Sequence, residues 1–160
     1  MLNARLDEIR RQPNAPFLFA GAHTGALVRT RDAFTIAAMV KDGGVQEGWA
    51  AILQEILRVE RHGFVAAELE RAKKDMLRLY DRAVKQYDTA DSRAFAEELV
   101  RNFLTEEEAG GPKAELALAE KLLPTYPLGE LNALAKSLAV GSQVVTISGP
   151  PTRPGRPRAR

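Results

Sequence analysis

At 160 residues, 45% hydrophobic and 28% charged, the chain is long enough for one domain with its own core and too short for two. No uninterrupted apolar run approaches the roughly 20 residues that span a bilayer. The charged start Met1-Leu2-Asn3-Ala4-Arg5 lacks the apolar segment of a secretion signal. The absence of cysteine excludes disulfides and thiolate chemistry but leaves the compartment open, a soluble protein of cytoplasm or periplasm. The net charge of +2 misleads, because Arg153, Arg156, Arg158 and Arg160 all sit in the acid-free end 149–160, and without them residues 1–148 carry −2. That Pro/Gly/Arg tail cannot bury a core and is expected to be disordered. Plain electrostatics could draw it to nucleic acid or acidic lipid, yet no structured basic face or interleaved aromatics support a nucleic-acid binder.

In chain order, Leu2, Leu6 and Ile9 predict a short amphipathic helix, ended by Pro13-Asn14-Ala15-Pro16. Residues 17–30 read as a strand, with a bulge or close backbone approach at Gly21 and Gly25 near its middle. Residues 33–41 alternate as a second strand, joined to the first by a short antiparallel connection at Thr30-Arg31-Asp32. Val45, Trp49, Ile52, Leu53, Ile56 and Leu57 then recur at three and four, predicting a helix to Arg61 with that face buried. Gly63 suits a left-handed helix end, with Arg61 and His62 in the last turn. A helix over about 66–87 follows, its stripe Leu69, Ala72, Met76, Tyr80, Ala83, Val84 and Tyr87, with Glu68, Glu70, Arg71, Lys74, Asp75, Arg78 and Arg82 turned to solvent. The cluster 88–92 offers caps for a helix carrying Phe95, Leu99, Val100, Phe103 and Leu104. Pro112 opens a helix that Pro124 stops, and Pro127 opens a last one with Leu131, Leu134, Ala135 and Leu138. The β-branched run 143–148 is expected to be a late strand. The fold class is therefore α+β, a mostly antiparallel and incomplete sheet with several helices on one face.

The run His62-Gly63-Phe64 with Glu68-Leu69-Glu70-Arg71-Ala72-Lys73, followed by Ala96-Glu97-Glu98-Leu99-Val100-Arg101-Asn102-Phe103-Leu104, resembles the second, non-catalytic domain of the pitrilysin/insulinase family of zinc metallopeptidases. Leu2 to Ile9, Phe34 to Gly44 and Leu131 to Ala135 fit the same pattern in order, so the likeness spans most of 1–148. Two helix starts depart from it. Val65 stands where the family commonly has a capping Thr, and Pro127 with Gly129 where another Thr is common. The resemblance implies that further strands and a helix precede Met1, so that the chain is a fragment with an internal methionine at its front. It also implies zinc in the full-length enzyme and, as partners, a catalytic zinc domain of the same or another chain and a peptide substrate.

The family's zinc motif, H-x-x-E-H, puts two imidazoles on one helical face with a Glu to activate bound water. His23 is followed by Thr24-Gly25-Ala26-Leu27 and His62 by Gly63-Phe64-Val65-Ala66, so neither begins it, and no metal or other cofactor is expected in this chain. No G-x-S-x-G, phosphate loop or dinucleotide fingerprint occurs, and Glu106-Glu107-Glu108 reads as a solvated acidic loop. No catalytic residue is expected. One stretch keeps a functional expectation, Gly21-Ala22-His23-Thr24-Gly25-Ala26. The resemblance implies that Gly21, His23 and Gly25 line a chamber and help to anchor a substrate's N-terminal end, because glycines let a peptide backbone approach a strand. A plain β-bulge accounts for the same glycines equally well. The expected function is thus part of the wall of a substrate-enclosing chamber, without hydrolysis by this chain alone. The alternative is a self-standing metal-free subunit that pairs with an active peptidase.

Overall fold

The structure, a computed structural model, describes residues 1–28, 30–89, 91–138 and 144–148. Its elements run α1 (Leu2–Arg10), β1 (Phe19–Val28), β2 (Arg31–Met39), α2 (Val45–His62), α3 (Ala66–Gln86), a 3₁₀ turn at Tyr87–Thr89, α4 (Ser92–Thr105), α5 (Gly111–Leu122), a second 3₁₀ turn at Leu123–Thr125, and α6 (Leu128–Leu138). This is the expected α+β order, with one antiparallel pair of strands among the described residues.

β1 and β2 pair in regular register from Phe19↔Met39 to Ala26↔Asp32, and the shift falls between Ala26 and Val28. The expected bulge at Gly21 and Gly25 is therefore displaced to the hairpin end, where Arg31 already pairs with Val28. Val144 to Ser148 form no strand, and their apolar side chains are exposed. Gln143, the first residue of that expected strand, and the tail 149–160 lie outside the described residues. β-Branched composition favours a pleated surface only where a neighbouring strand supplies the ladder, and none does so here.

The core is small and sits where α1, α2 and α3 meet the hairpin: Leu6, Phe17, Ile52, Val59, Phe64 and Leu69 are buried. On α2 the buried face is Gly48, Ile52, Glu55 and Val59, rotated from the expected stripe, so that Val45, Trp49 and Leu57 stay exposed. A side chain at Gly48 would fall on Val40 and on the Pro16 carbonyl, so this glycine sets how closely α2 approaches the hairpin. Gly63 ends α2 with φ 68° and ψ −158°, a region beyond the ordinary left-handed helical one and essentially restricted to glycine. Opposite it, Asn132 of α6 accepts from the Phe64 N–H at 2.7 Å and donates to the Phe64 carbonyl at 3.1 Å. These two bonds tie the last helix to the α2–α3 junction.

On α3 only Leu69 of the expected stripe is buried, and Met76 is exposed. Packing of α3 against α5 covers the remainder in part. Val65 offers no side-chain acceptor, so half a capping box remains, with Glu68 accepting from the Val65 N–H at 2.9 Å. Asp91 caps α4 by accepting from the Arg93 N–H at 2.9 Å. The expected stripe of α4 is not core: Leu99, Val100, Phe103 and Leu104 are all exposed, Phe103 by 85%. Its clearest aromatic anchor is the edge-to-face contact of Phe95 with Tyr87, at 5.0 Å between centroids. Pro124 does not stop the chain dead after α5 but sits within the 3₁₀ turn that follows it.

Candidate functional site

Successive residues of a strand alternate between its faces, so Phe19, Gly21, His23 and Gly25 of β1 share one face with Ala33, Thr35, Ala37 and Met39 of β2. The other face carries Phe34 and Ile36 and meets the helical layer. There Phe34 borders an apolar cleft of about 210 Å³ with Met1, Leu2, Ile56, Val59, Phe64, Leu131, Leu134 and Ala135. The three expected site residues therefore lie together, in line along the open face. Opposite them stand Ala37 beside Gly21, Thr35 beside His23 and Ala33 beside Gly25, giving a floor of small groups with one imidazole and one hydroxyl. Phe19 and Met39, paired with each other, stand exposed at one end of it.

The two glycines are not equivalent. The Phe19 ring leans over Gly21, where a Cβ would come within 3.2 Å of the ring, whereas only the His23 ring edge, at 4.0 Å, would meet a Cβ at Gly25. Gly21 thus makes room for a neighbouring aromatic, and Gly25 leaves backbone open.

The outer edge of β1 carries a contact that sequence reasoning missed. Asn3 of α1 donates its Nδ2–H to the Ala22 carbonyl at 2.9 Å, and its Oδ1 accepts from the Ala22 N–H at 2.7 Å. The carboxamide thereby satisfies both backbone groups of one strand residue, as a peptide group would. Nothing in the spacing of Asn3 signals this, since its partner is 19 residues away.

A second missed feature has a readable signal. Arg5 falls inside the apolar stripe of α1 beside Leu6, and Glu55 falls between Ile52 and Val59 on α2. Both are buried. Arg5 forks onto Glu68 with Nε–Oε1 at 2.5 Å and Nη2–Oε2 at 2.8 Å, donates to the Gly63 carbonyl at 3.0 Å, and lies 4.7 Å from the centre of the Phe64 ring. Its Nη1 faces Glu55 Oε2 at 3.9 Å, and neither atom has a hydrogen bond. The hydrogen bond from Arg5 holds the Glu68 carboxyl down to about 2 and reciprocally raises the guanidinium. Burial lowers the Met1 ammonium. Glu68, expected on the solvated face of α3, is thus a part-buried ion-pair partner. The fork positions α1, and through it Asn3, against the α2–α3 junction.

His23 is exposed on β1 and His62 exposed at the end of α2, and among the described residues no group of three or more His, Cys, Asp or Glu is placed to hold a metal. No helix among them is long and apolar enough to cross a membrane.

Comparison with known protein families and with curated proteins gives no match. Solved structures do match. The first half of the periplasmic protease PqqL from Escherichia coli aligns with a TM-score of 0.77 at 22% identity, over 86% of this chain and 30% of that one. Complete PqqL gives 0.76 at 22% identity, the same 86% of this chain covering 15% of it. A predicted insulinase-family protease from Yersinia pestis gives 0.72 at 15% identity, with 86% and 30% covered. The chain therefore spans under a third of the length of each of these structures. At these identities the likeness is one of fold, and this chain has the α+β fold of part of a pitrilysin/insulinase-type protease.

Proposed function

We propose that the chain is a non-catalytic part of a zinc-dependent peptidase, forming one wall of the chamber that encloses the substrate and anchoring the substrate's N-terminal end on the β1–β2 hairpin. The observation that carries this reading is the fold match to insulinase-type proteases over 86% of the chain. The sequence adds that no H-x-x-E-H is present to do the chemistry. Peptide-bond hydrolysis then belongs to a catalytic domain elsewhere, in the same polypeptide or in a partner chain.

The open hairpin face supports the anchoring role. Gly25, Ala33 and Ala37 keep it low enough for a peptide backbone to lie across, while His23 and Thr35 supply polar atoms and the exposed Phe19 and Met39 supply apolar contact. A Gly25→Val substitution raises a branched side chain from that floor without disturbing the ladder. Peptide binding to the purified chain, followed by anisotropy of a C-terminally labelled decapeptide with a free N-terminus, should weaken at least fivefold in this variant. Binding unaffected by Gly25→Val would remove the hairpin from the reading. Cleavage of the peptide in a chelator-sensitive manner would contradict the non-catalytic assignment.

A further inference from the structure

We infer that the exposed apolar stripe of α4 is the surface by which two copies of this chain pair, α4 against α4 and antiparallel, about a two-fold axis between Leu99 and Val100. The inference goes beyond the peptide-anchoring reading and stands or falls without it.

Among the described residues, α4 is tied to its own chain along one side. Phe95 meets Tyr87 edge to face, the Glu98 carboxylate accepts from the Gly111 N–H at 3.1 Å, and Asn102 donates to the Glu107 carbonyl at 2.6 Å. On a helix of 3.6 residues per turn these three side chains share a face, and Ala96, Leu99, Val100 and Phe103 lie about a third of a turn round from it. All four are exposed. Their spacing of three and four is that of a helix–helix seam. A lone helix of 14 residues is marginal in water, so a second apolar surface laid on this stripe stabilises it.

A second α4 has the matching shape and charge. The antiparallel arrangement sets Ala96 of each copy level with Phe103 of the other, a small side chain against a large one, and brings Val100 to Val100 across the centre. It also sets Arg93 of each copy beside the acidic end Glu106-Glu107-Glu108 of the other. Within one chain Arg93 reaches only Glu97, an exposed pair of little worth, and Glu106 and Glu108 have no cation among the described residues. A parallel pair would instead stack Phe103 on Phe103 and set like charges together at both ends, so charge selects the antiparallel form. A two-fold contact closes on itself and stops at two copies. One helix pair covers no more than the low end of stable interface areas, so the dimer is weak, with a dissociation constant on the order of tens of micromolar.

The chain has no cysteine, so single introduced thiols report the geometry in the full protein. The two copies of Val100 face each other, whereas the two copies of Ala96 are about 10 Å apart along the helices, too far for a disulfide. Under mild oxidation near the dissociation constant, Val100→Cys should form a disulfide dimer at least tenfold faster than Ala96→Cys or Phe103→Cys alone. A mixture of Ala96→Cys and Phe103→Cys should give the mixed disulfide. Sedimentation is then run on Met39→Lys, whose new charge blunts the open edge of β2 and leaves α4 as the contact being read. In that background Phe103→Asp should weaken the dimer at least tenfold and Arg93→Glu at least threefold. Adding Glu106→Lys and Glu108→Lys to Arg93→Glu should restore it.

Equal disulfide rates for Val100→Cys and Ala96→Cys overturn the inference. So does a dimer indifferent to Phe103→Asp, or a Tm of Phe103→Asp that falls at a dilution where the chain is monomeric, which would place the ring in the core. A Met39→Lys chain that stays monomeric well above the expected constant also overturns it, and leaves the stripe to a different protein.

Discussion

Replacing Arg5 by Met keeps the length and apolar stem of the side chain and removes only the guanidinium. The structure places that group where its loss is felt three times: Glu68 loses two short charge-assisted hydrogen bonds, the Gly63 carbonyl loses a donor, and the Phe64 ring loses a cation at 4.7 Å. Glu55, whose side chain is 8% exposed, is left with no cation on its buried side, since Arg58 reaches it at 3.3 Å from the solvent side. Breaking a buried ion pair by removing one partner costs about 3–5 kcal/mol, because the stranded charge is not rehydrated. For a chain of this size each kcal/mol moves Tm by about 2–4 °C, so Arg5→Met should melt roughly 10 °C lower. The companion variant Glu68→Gln tests the same fork from the other side and supplies a pH signature. The Glu68 carboxyl titrates at about 2 in the folded chain against an ordinary 4.5, so the unfolded chain binds the extra proton first as pH falls. Its contribution is therefore fully present above about pH 4.5 and is lost as pH drops toward 2. The full shift is worth about 3 kcal/mol, reduced to about 1–2 kcal/mol by the solvent that reaches this carboxylate. Urea unfolding at pH 7 and pH 3 should show a larger acid loss in the parent than in Glu68→Gln, which keeps the lowered Asp7 carboxyl. A Tm of Arg5→Met within 2 °C of the parent, or identical acid slopes in the two proteins, would refute the reasoning.

Gly63→Ala puts a Cβ within 2.7 Å of the Asn132 carboxamide in a backbone region that alanine avoids, and a loss of at least about 2 kcal/mol is expected in urea unfolding. Phe103→Ser should change stability by less than about 0.5 kcal/mol, since the ring is 85% exposed, and a larger drop in Tm would show that α4 packs into the core. The outer edge of β2, which no strand pairs among the described residues, should drive self-association. Sedimentation across a dilution series is expected to show concentration-dependent species that a charge at the exposed Met39, Met39→Lys, diminishes, and a parent that sediments as a monomer at every concentration would contradict this.

The existence and order of the helices and of the hairpin are legible in the sequence because each rests on local periodicity and punctuation. The spacing of Leu2, Leu6 and Ile9, the alternation through Phe34 and Ile36, and the Gly63 and Pro127 boundaries all reappear in the structure. What periodicity cannot say is whether a stripe has a neighbour to cover it. Leu99, Val100, Phe103 and Leu104 have the spacing of core residues and stand in solvent, while Glu55 and Arg5, which break an apolar stripe, are among the most buried side chains. A charged residue inside an apolar stripe is the signal that could have marked both. Val144 to Ser148 have strand composition but no ladder, so propensity alone misleads there. At the candidate site the alignment of Gly21, His23 and Gly25 follows from period-two alternation. The Phe19 ring over Gly21 and the Asn3 carboxamide on Ala22 depend on tertiary approach and leave no trace in spacing.

The central claim, a peptide-holding and non-catalytic member of an insulinase-type protease fold, is tested most directly by titrating the chain with an unlabelled decapeptide while recording backbone amide NMR spectra and the integrity of the peptide in the same tube. The account predicts saturable shifts at residues 19–28 and 33–39 with the peptide intact after a day, unchanged by chelator. Shifts confined to the helices, or peptide cleaved at an enzyme-like rate that chelator abolishes, would contradict it.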